Sequence, residues 1–161
     1  MNINVIKADD RYLADCSAAV LNSDLGKIYF KDKKRAVQAI TNGILSGEIF
    51  VAVNNDLECL GFVWLDSAGM FSRFPYLHMV AVREEFRGIG IGKILVRFFE
   101  DTVSEENTKA FLVVADFNPR AKALYKSLGY KEVGSIPGLY KEGVTETLMM
   151  KELKASAAGK A

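Results

Sequence analysis

The chain has 161 residues, half of them apolar, and its 21 basic and 20 acidic side chains give a formal net charge of +1. A chain of this length can bury one sizeable core, so we expect a single domain over residues 1–154 and a disordered tail over 155–161. The near-zero charge provides no field that attracts nucleic acid or an anionic membrane, and we expect neither as a partner.

Neither a membrane span nor a metal site is expected. The longest apolar runs fall well short of the ~20 residues that a membrane helix needs, and residues 1–5 are strand-like without the charge pattern of a signal peptide. Cys16 and Cys59 fit the reduced packing residues of a cytoplasmic protein. We therefore expect a cytoplasmic protein that binds no metal.

The first half of the chain alternates between helical and strand periodicities. Asp9 is a suitable N-cap for a first helix, and Gly47 is a suitable end for a second. In chain order the pattern predicts a strand over 3–7, a helix over 9–21, an irregular segment over 22–31, a helix through 37–45, an antiparallel hairpin of strands 49–53 and 57–65, and a loop over 67–74.

The second half begins with a nearly all-apolar run, 77–82, which is typical of a strand buried on both faces. A glycine-rich turn follows, and then a helix over 91–103 with an apolar stripe that consists of Ile91, Ile94, Leu95, Phe98, Phe99 and Thr102. The remaining pattern predicts a strand over 110–115, a helix between Asn118 and Gly129, strands over 130–134 and 145–153, and a loop over 136–143. The order βααβββαβαββ describes a mixed α/β domain.

The glycine-rich turn reads Arg-Gly-Ile-Gly-Ile-Gly from Arg87 to Gly92 and connects a strand with a helix. Without Cβ atoms, such a turn can curl so that successive N–H groups point into one concavity at the positive end of the helix dipole. A pyrophosphate fits this concavity. The alternative is a tight turn without a ligand, and the preceding arginine makes that alternative weaker.

The spacing of this turn excludes two common phosphate loops. A Walker loop needs Gly-Lys-Ser/Thr, whereas Gly92 and Lys93 are followed by Ile94. The dinucleotide fingerprint needs a third glycine three residues after the second, and this chain has Lys93 or Leu95 there. The pattern that remains is Arg-x-x-Gly-x-Gly.

The Arg-x-x-Gly-x-Gly pattern at 87–92 resembles the acetyl-CoA pyrophosphate loop of the GNAT N-acetyltransferase superfamily. The segment 118–130, Asn-Pro-Arg-Ala-Lys-Ala-Leu-Tyr-Lys-Ser-Leu-Gly-Tyr, is similar to the motif that follows in that family. The two motifs stand in the family's order and at its separation. The resemblance extends over 3–153 in pattern and is sharp over 77–130.

The resemblance implies both a fold and an activity. The fold would be α/β (α+β), with a mixed, mostly antiparallel sheet of roughly six to seven strands, a splayed central strand pair and about four helices. The activity would be acetyl-CoA-dependent N-acetyl transfer to a primary amine, by direct attack in a ternary complex. The alternative is a non-catalytic acyl-CoA-binding or regulatory module of the same fold.

The resemblance also implies a set of contacts to acetyl-CoA, the co-substrate. These residues are Val80, Ala81, Val82, Arg87, Gly88, Ile89, Gly90, Ile91, Gly92, Lys93, Asn118 and Tyr125. The turn would cradle the pyrophosphate, and backbone groups of the strand residues would pair with the pantetheine arm and face the thioester carbonyl. Arg87 would either add charge or brace the loop. Asn118 would either hold the cofactor arm or cap its helix.

The implied general acid is Tyr125, which would protonate the departing CoA thiolate, and the alternative is a tyrosine packed at the edge of the core. A general base is harder to assign, because some relatives use a glutamate early in the central strand and this chain has Tyr76 there. His78 has a suitable intrinsic pKa. The alternatives are a hydrogen-bonded core histidine, deprotonation through ordered water, or an amine that arrives already deprotonated.

The acceptor pocket is expected at the loops near the thioester. The residues that we assign to it by position are Tyr29, Phe30, Phe71, Arg73 and Tyr140. For each of them, an aromatic or loop residue that merely covers the core is the alternative. The neutral overall charge leaves a small amine, an amino acid and a protein N-terminus equally open as acceptors, and either a monomer or a homodimer is expected.

Overall fold

A computed structural model describes residues 1–154, and the tail predicted over 155–161 lies outside them. The described residues contain seven strands: β1 (Asn4–Lys7), β2 (Ile49–Val53), β3 (Cys59–Met70), β4 (Phe74–Val82), β5 (Lys109–Ala115), β6 (Lys131–Pro137) and β7 (Thr145–Glu152). They also contain five α-helices: α1 (Leu13–Leu21), α2 (Asp24–Tyr29), α3 (Lys33–Leu45), α4 (Ile91–Val103) and α5 (Pro119–Ser127).

The chain divides into two compact units. One unit consists of residues 1–65 and 79–98, and the other consists of residues 66–78 and the described chain from Phe99 onward. The first unit therefore contains α1, α2, α3 and the glycine turn, whereas the second contains α5 and the strands β5, β6 and β7.

The strands form a seven-stranded sheet in the order β1-β2-β3-β4-β5-β7-β6. Pairing is antiparallel for β1–β2, β2–β3, β5–β7 and β6–β7, whereas β4 and β5 are parallel. The parallel register places Tyr76 opposite Phe111 and Leu77 opposite Leu112, and within the described residues it extends no further, although β4 runs to Val82. The predicted mixed, mostly antiparallel sheet of six to seven strands is confirmed.

The core of the first unit lies between its helices and strands β2 and β3. The buried residues that form it include Tyr12, Cys16, Val20, Ile40, Ile44, Ile49, Val51, Val53, Cys59 and Phe62. Each fully buried large aliphatic side chain stabilises such a core by roughly 1.5–3 kcal/mol. Cys16 and Cys59 are free thiols, in agreement with the sequence interpretation. None of the helices in residues 1–154 combines the length and the apolar character that a membrane crossing requires.

Helix α2 lies in the segment that the sequence pattern left irregular, so that prediction is wrong. Ser23 is its N-cap, and the Ser23 Oγ accepts a hydrogen bond of 3.0 Å from the N–H of Gly26. Gly26 is buried, and a Cβ at this position would lie 1.9 Å from the carbonyl oxygen of Val20, so only glycine fits there. A helix of six residues with a central glycine is too short to show helical periodicity.

The loop predicted over 67–74 is also wrong, because β3 continues to Met70 and β4 already begins at Phe74. The two strands are joined by a tight turn in which Phe71 and Ser72 have φ angles of +58° and +56°. Two successive positive φ angles are typical of a type I′ hairpin turn, which usually contains asparagine or glycine. Because Phe71 and Ser72 are not the residues that such a turn usually contains, the sequence pattern did not predict it.

Helix α4 has the predicted bounds but a different buried stripe. Its buried residues are Ile91, Leu95, Val96, Phe99 and Val103. They repeat mainly every four residues, which is one ridge of an α-helix. Thr102, which the pattern assigned to the stripe, is exposed, and Val103 takes its place because it continues that ridge.

Asn118 caps α5, which is one of the two roles predicted for it, and its Oδ1 accepts a hydrogen bond of 3.2 Å from the N–H of Ala121. We expect Asn118→Ala to lower the free energy of unfolding by about 1 kcal/mol, because one N–H of the first helical turn loses its acceptor. Chemical denaturation measures this change. Asn118→Ser restores an oxygen acceptor and should recover most of the stability, and a serine variant as unstable as the alanine variant would contradict the capping role.

Candidate functional site

The glycine turn of the first unit leads directly into α4. Gly88 and Gly90 have φ angles of +80° and +93°, a region that residues with a Cβ rarely adopt. The carbonyl of Gly90 accepts a hydrogen bond of 3.2 Å from the N–H of Ile94, so Gly90 immediately precedes the helix. A Cβ on either glycine would meet no heavy atom of the described residues within 4 Å, so the turn is open on that side. Gly92, by contrast, is the second residue of α4.

The turn lies at the positive end of the α4 dipole. The first N–H groups of an α-helix have no partner within the helix, and together they carry a partial positive charge. In α4 these are the groups of its first turn, which begins at Ile91. An open glycine turn at this place can bind an anion through the backbone alone.

Arg87 ties the turn to two other segments of the first unit. Its Nε donates a hydrogen bond of 3.2 Å to the carbonyl of Val82, and its Nη2 donates one of 3.1 Å to the carbonyl of Asn22. Both bonds fix the side chain on backbone carbonyls. Of the two roles predicted for Arg87, these contacts fit bracing of the loop.

The last part of β4 is held closely against β3. A Cβ on Gly61 of β3 would lie 2.6 Å from the carbonyl oxygen of Ala81 and 3.0 Å from the Cα of Val82. The N–H of Arg83 also donates a hydrogen bond of 2.9 Å to the carbonyl of Leu60. The backbone before the glycine turn is therefore fixed by its neighbour on the β3 side.

Tyr125, the predicted general acid, lies on α5 in the second unit and is partly buried. Its ring packs edge-on against the ring of Tyr130, with the centroids 6.0 Å apart. Burial raises the pKa of the Tyr125 phenol to about 12, because the charged phenolate would lose its hydration. The hydroxyl therefore keeps its proton at neutral pH, as a general acid must before it acts.

His78 lies on β4 and is exposed, so the expectation that this strand is buried on both faces is wrong. Side chains alternate along a strand, and the buried face is the one that carries Leu77 and Met79. The His78 ring contacts the ring of Tyr76 edge-on, with the centroids 5.9 Å apart. This histidine is thus a surface residue beside an aromatic ring.

A pair of phenols lies next to His78 in the second unit. The hydroxyl oxygens of Tyr76 and Tyr140 are 2.7 Å apart and share a hydrogen bond, although 64 residues separate them in the chain. Tyr140 belongs to the connection between β6 and β7 and is 53% exposed. Burial raises the pKa of Tyr76, and the hydrogen bond with Tyr140 and the charges of Tyr140, Glu146 and Tyr125 raise it further. Direct contacts join Tyr76 to His78 and to Tyr140, and Glu146 and Tyr125 belong to the same cluster through their electrostatic effect on the pKa of Tyr76.

Glu146 is the member of this cluster that the sequence interpretation missed. It lies on β7 and is only 2% exposed, although charged residues are rarely buried so completely. The register places it opposite Ala115 of β5 and Ile136 of β6. One signal for Glu146 was present in the sequence. The period-2 pattern of the strand puts this charged residue on the same face as the apolar residues Leu148 and Met150.

Two residues of the predicted acceptor pocket, Phe71 and Arg73, belong to an aromatic cluster of the second unit. The rings of Phe71 and Phe74 lie 6.3 Å and 5.7 Å from the ring of Phe111, centroid to centroid. The Arg73 guanidinium stacks on Phe74, with its central carbon 5.3 Å from the ring centroid. Arg73 itself is exposed and can contact a ligand.

The other two predicted pocket residues lie in the first unit. Tyr29 ends α2, and Phe30 follows as its C-cap and packs against the core of that unit. This contact fits the packing alternative for Phe30. Among residues 1–154, no three His, Cys, Asp or Glu side chains are grouped as a metal ion would require.

The model of the acetyltransferase (GNAT) family matches residues 19–130 of the 161 in this chain. A mixed, mostly antiparallel sheet and an open glycine turn before a helix are features that the resemblance implied. The chain belongs to the GNAT acetyltransferase family. A curated relative, thialysine N-epsilon-acetyltransferase of Bos taurus, is 38% identical over 64 residues, and this match spans 39% of the chain and 38% of the relative's length.

Solved structures show the same fold. A GNAT-family acetyltransferase from Bacillus cereus is 18% identical, with 96% of this chain and 99% of that one covered and a TM-score of 0.76. The NatC complex bound to Gag peptide and CoA contains a chain that is 19% identical, with coverage of 96% and 100% and a TM-score of 0.72. At these identities the likeness concerns the fold.

Proposed function

We propose that this chain is an N-acetyltransferase that moves the acetyl group of acetyl-CoA to a primary amine by direct attack in a ternary complex. The observation that carries the proposal is the open glycine turn at the N-terminus of α4. A pyrophosphate bound there would accept hydrogen bonds from the N–H groups of 89–93, and the helix dipole would stabilise its charge. Membership of the GNAT family supports acetyl-CoA as the donor.

Val80, Ala81 and Val82 are the proposed contacts of the pantetheine arm. Their strand is held against β3 at Gly61, and the described β4–β5 register already ends at Leu77. Backbone groups of these residues can therefore pair with an extended ligand as an additional strand would. A backbone N–H at this place would also stabilise the oxyanion that forms when the thioester carbonyl is attacked.

The chemistry requires one bond to form and one to break. The amine nitrogen forms a bond to the thioester carbonyl carbon, and the carbon–sulfur bond then breaks with its electron pair left on sulfur. Tyr125 is the proposed donor of the proton that the CoA thiolate takes up, and the phenolate regains a proton from the nitrogen of the intermediate or from water. His78 is the proposed route to solvent for the proton that the amine releases, because it is exposed.

The test has two stages. Calorimetry with CoA, acetyl-CoA, NAD and ATP should show binding of the first two only. Release of free CoA thiol is then followed with three acceptors: L-thialysine, 1,4-diaminobutane and a tetrapeptide with a free N-terminus. The name of the curated relative motivates the first of these acceptors. Binding of acetyl-CoA without transfer to any amine would support the alternative, a non-catalytic acyl-CoA-binding module.

We expect Arg73→Ala to raise the KM for the acceptor about three- to tenfold, because an exposed guanidinium contributes a modest ionic contact to an anionic group of the acceptor. Acetyl-CoA affinity should stay unchanged. Arg73→Lys is the matched control, because it keeps the charge and loses the planar stacking on Phe74. Equal effects of Arg73→Ala on both substrates would indicate a role in folding the turn instead.

A further inference from the structure

The buried carboxylate of Glu146 and the phenols of Tyr76 and Tyr140 share one sheet face in the second unit, where the charge of Glu146 helps to raise the pKa of Tyr76. The parallel register puts Tyr76 beside Phe111, and two alternate positions further along β5 is Ala115, which pairs with Glu146. Paired residues and alternate residues share a sheet face, so Tyr76 and Glu146 project from the same face. Tyr140 reaches this face through its 2.7 Å contact with the Tyr76 hydroxyl.

These groups match the hydrogen-bonding needs of an ammonium ion. A protonated primary amine has three N–H donors, whereas a carboxylate and two phenol oxygens offer three acceptor groups, one of them negatively charged. A neutral amine lacks the charge that a buried carboxylate prefers as a partner. The overall charge of the chain does not matter here, because a local carboxylate selects the ligand at contact distance.

We propose that Glu146 binds the nitrogen of the acceptor as an ammonium ion, together with the hydroxyl oxygens of Tyr76 and Tyr140, and then takes its proton. This assignment rests on the proposed function and names the charge class of the acceptor, a primary amine that arrives protonated. Some relatives have a glutamate on the central strand at the position where this chain has Tyr76. In this chain the carboxylate would come instead from Glu146 of β7.

The proton balance of this step is simple. An N–H bond of the ammonium breaks with its electron pair left on nitrogen, and the proton forms an O–H bond on the Glu146 carboxylate. The neutral amine can then attack the thioester. After the acetyl group has moved, the carboxyl group returns its proton to water, and the exposed His78 on the same sheet face lies along that route.

The acceptor can approach from the side of Tyr140. Tyr140 is half exposed, and its connection begins with Gly138 and has Gly143 next to its last residue; both glycines have positive φ angles. A hydrogen bond of 2.9 Å from the N–H of Gly138 to the carbonyl of Val144 closes the base of this connection. The Tyr140 hydroxyl is thus presented from a short, closed loop and is accessible to a small cationic ligand.

The experiment uses Glu146→Gln, which keeps the shape and removes the charge, with each of the three acceptors that the wild type acetylates. We expect kcat/KM for the amine to fall about 10- to 100-fold, while the affinity for acetyl-CoA stays unchanged. Glu146→Asp should recover part of the loss. Glu152→Gln is the matched control, since it makes the same change at an exposed position of the same strand and should leave both substrates unaffected.

Two further variants keep the proposal falsifiable if Glu146→Gln does not fold. Tyr140→Phe and Tyr76→Phe each remove one acceptor oxygen and should raise the KM for the amine about three- to tenfold. A preference of the wild type for benzylamine over its uncharged isomer p-toluidine should also decrease in these variants. Wild-type kcat and KM in Glu146→Gln, or unchanged amine KM in both tyrosine variants, would overturn the assignment while leaving the proposed transferase activity intact. A wild type that acetylates no amine would instead contradict the proposed function.

Discussion

Tyr125→Phe should lower kcat by about one to two orders of magnitude while acetyl-CoA binding and the fold are retained. The variant keeps the ring that packs against Tyr130 at 6.0 Å and removes only the phenolic proton. A positioned general acid contributes roughly 10²-fold or more, so the loss corresponds to about 1.4–2.7 kcal/mol of transition-state stabilisation. Steady-state kinetics with saturating acetyl-CoA, together with calorimetry, measures both quantities.

The pH dependence of the wild type follows from the raised pKa of Tyr125. An ordinary phenol is half deprotonated at about pH 10, whereas burial moves this pKa to about 12. The acid form is therefore the dominant species throughout the neutral and mildly alkaline range. We expect kcat to show no fall that is attributable to this phenol up to about pH 10. A fall near an unperturbed phenol pKa that disappears in Tyr125→Phe would show that burial does not protect the proton.

Tyr130→Phe is the control for Tyr125→Phe. It makes the same chemical change five residues further along the chain, on the ring that packs against Tyr125. We expect near-normal kcat, because no proton of Tyr130 is used in the proposed reaction. Equal losses in the two variants would mean that Tyr125 acts through packing and that water protonates the thiolate.

Gly90→Val should weaken CoA binding about 100-fold or more. The φ angle of Gly90 is +93°, and a β-branched residue is strained there by about 1–3 kcal/mol. A Cβ at this position meets no heavy atom of the described residues within 4 Å, so the side chain clashes with no described part of the protein and enters the open turn instead. The turn then either changes its backbone conformation or is filled, and two or more charge-assisted hydrogen bonds to the pyrophosphate are lost. Calorimetry with CoA measures the effect.

Gly47→Val is the control that distinguishes the effect of backbone strain from the effect of losing the pyrophosphate site. Gly47 follows α3 and has a φ angle of +73°, and its Cβ would meet only the end of the flexible Lys7 side chain, at 2.8 Å from Nζ. Both variants should lose stability in thermal melts, whereas only Gly90→Val should lose CoA affinity. Wild-type affinity in Gly90→Val would remove the pyrophosphate assignment.

Much of the fold could be predicted because local patterns and burial agree. Helix α4 has the predicted ends, since an apolar stripe at helical spacing follows directly after a glycine turn. The strand over 49–53 was predicted correctly, and one of the two roles predicted for Asn118, the helix cap, is observed, because in each case one short segment contains the whole signal. Where the signal was weak or unusual, the prediction was wrong, as at α2 and at the Phe71–Ser72 turn.

The sequence by itself determined the family, the order of the main elements and the glycine turn, because each depends on residues that are close together in the chain. Only the tertiary structure revealed the cluster of Tyr76, Tyr140 and Glu146, because strand register and a loop bring Tyr76 toward two residues that lie 64 or more positions further along the chain. Register is decided by the pairing of whole strands and by burial of one face, and a shift of one residue would turn Glu146 to the opposite face. A site that takes its residues from two strands and one loop is not contained in any one short segment, and apart from the charged Glu146 in a strand pattern its chemistry becomes visible only when the sheet is assembled.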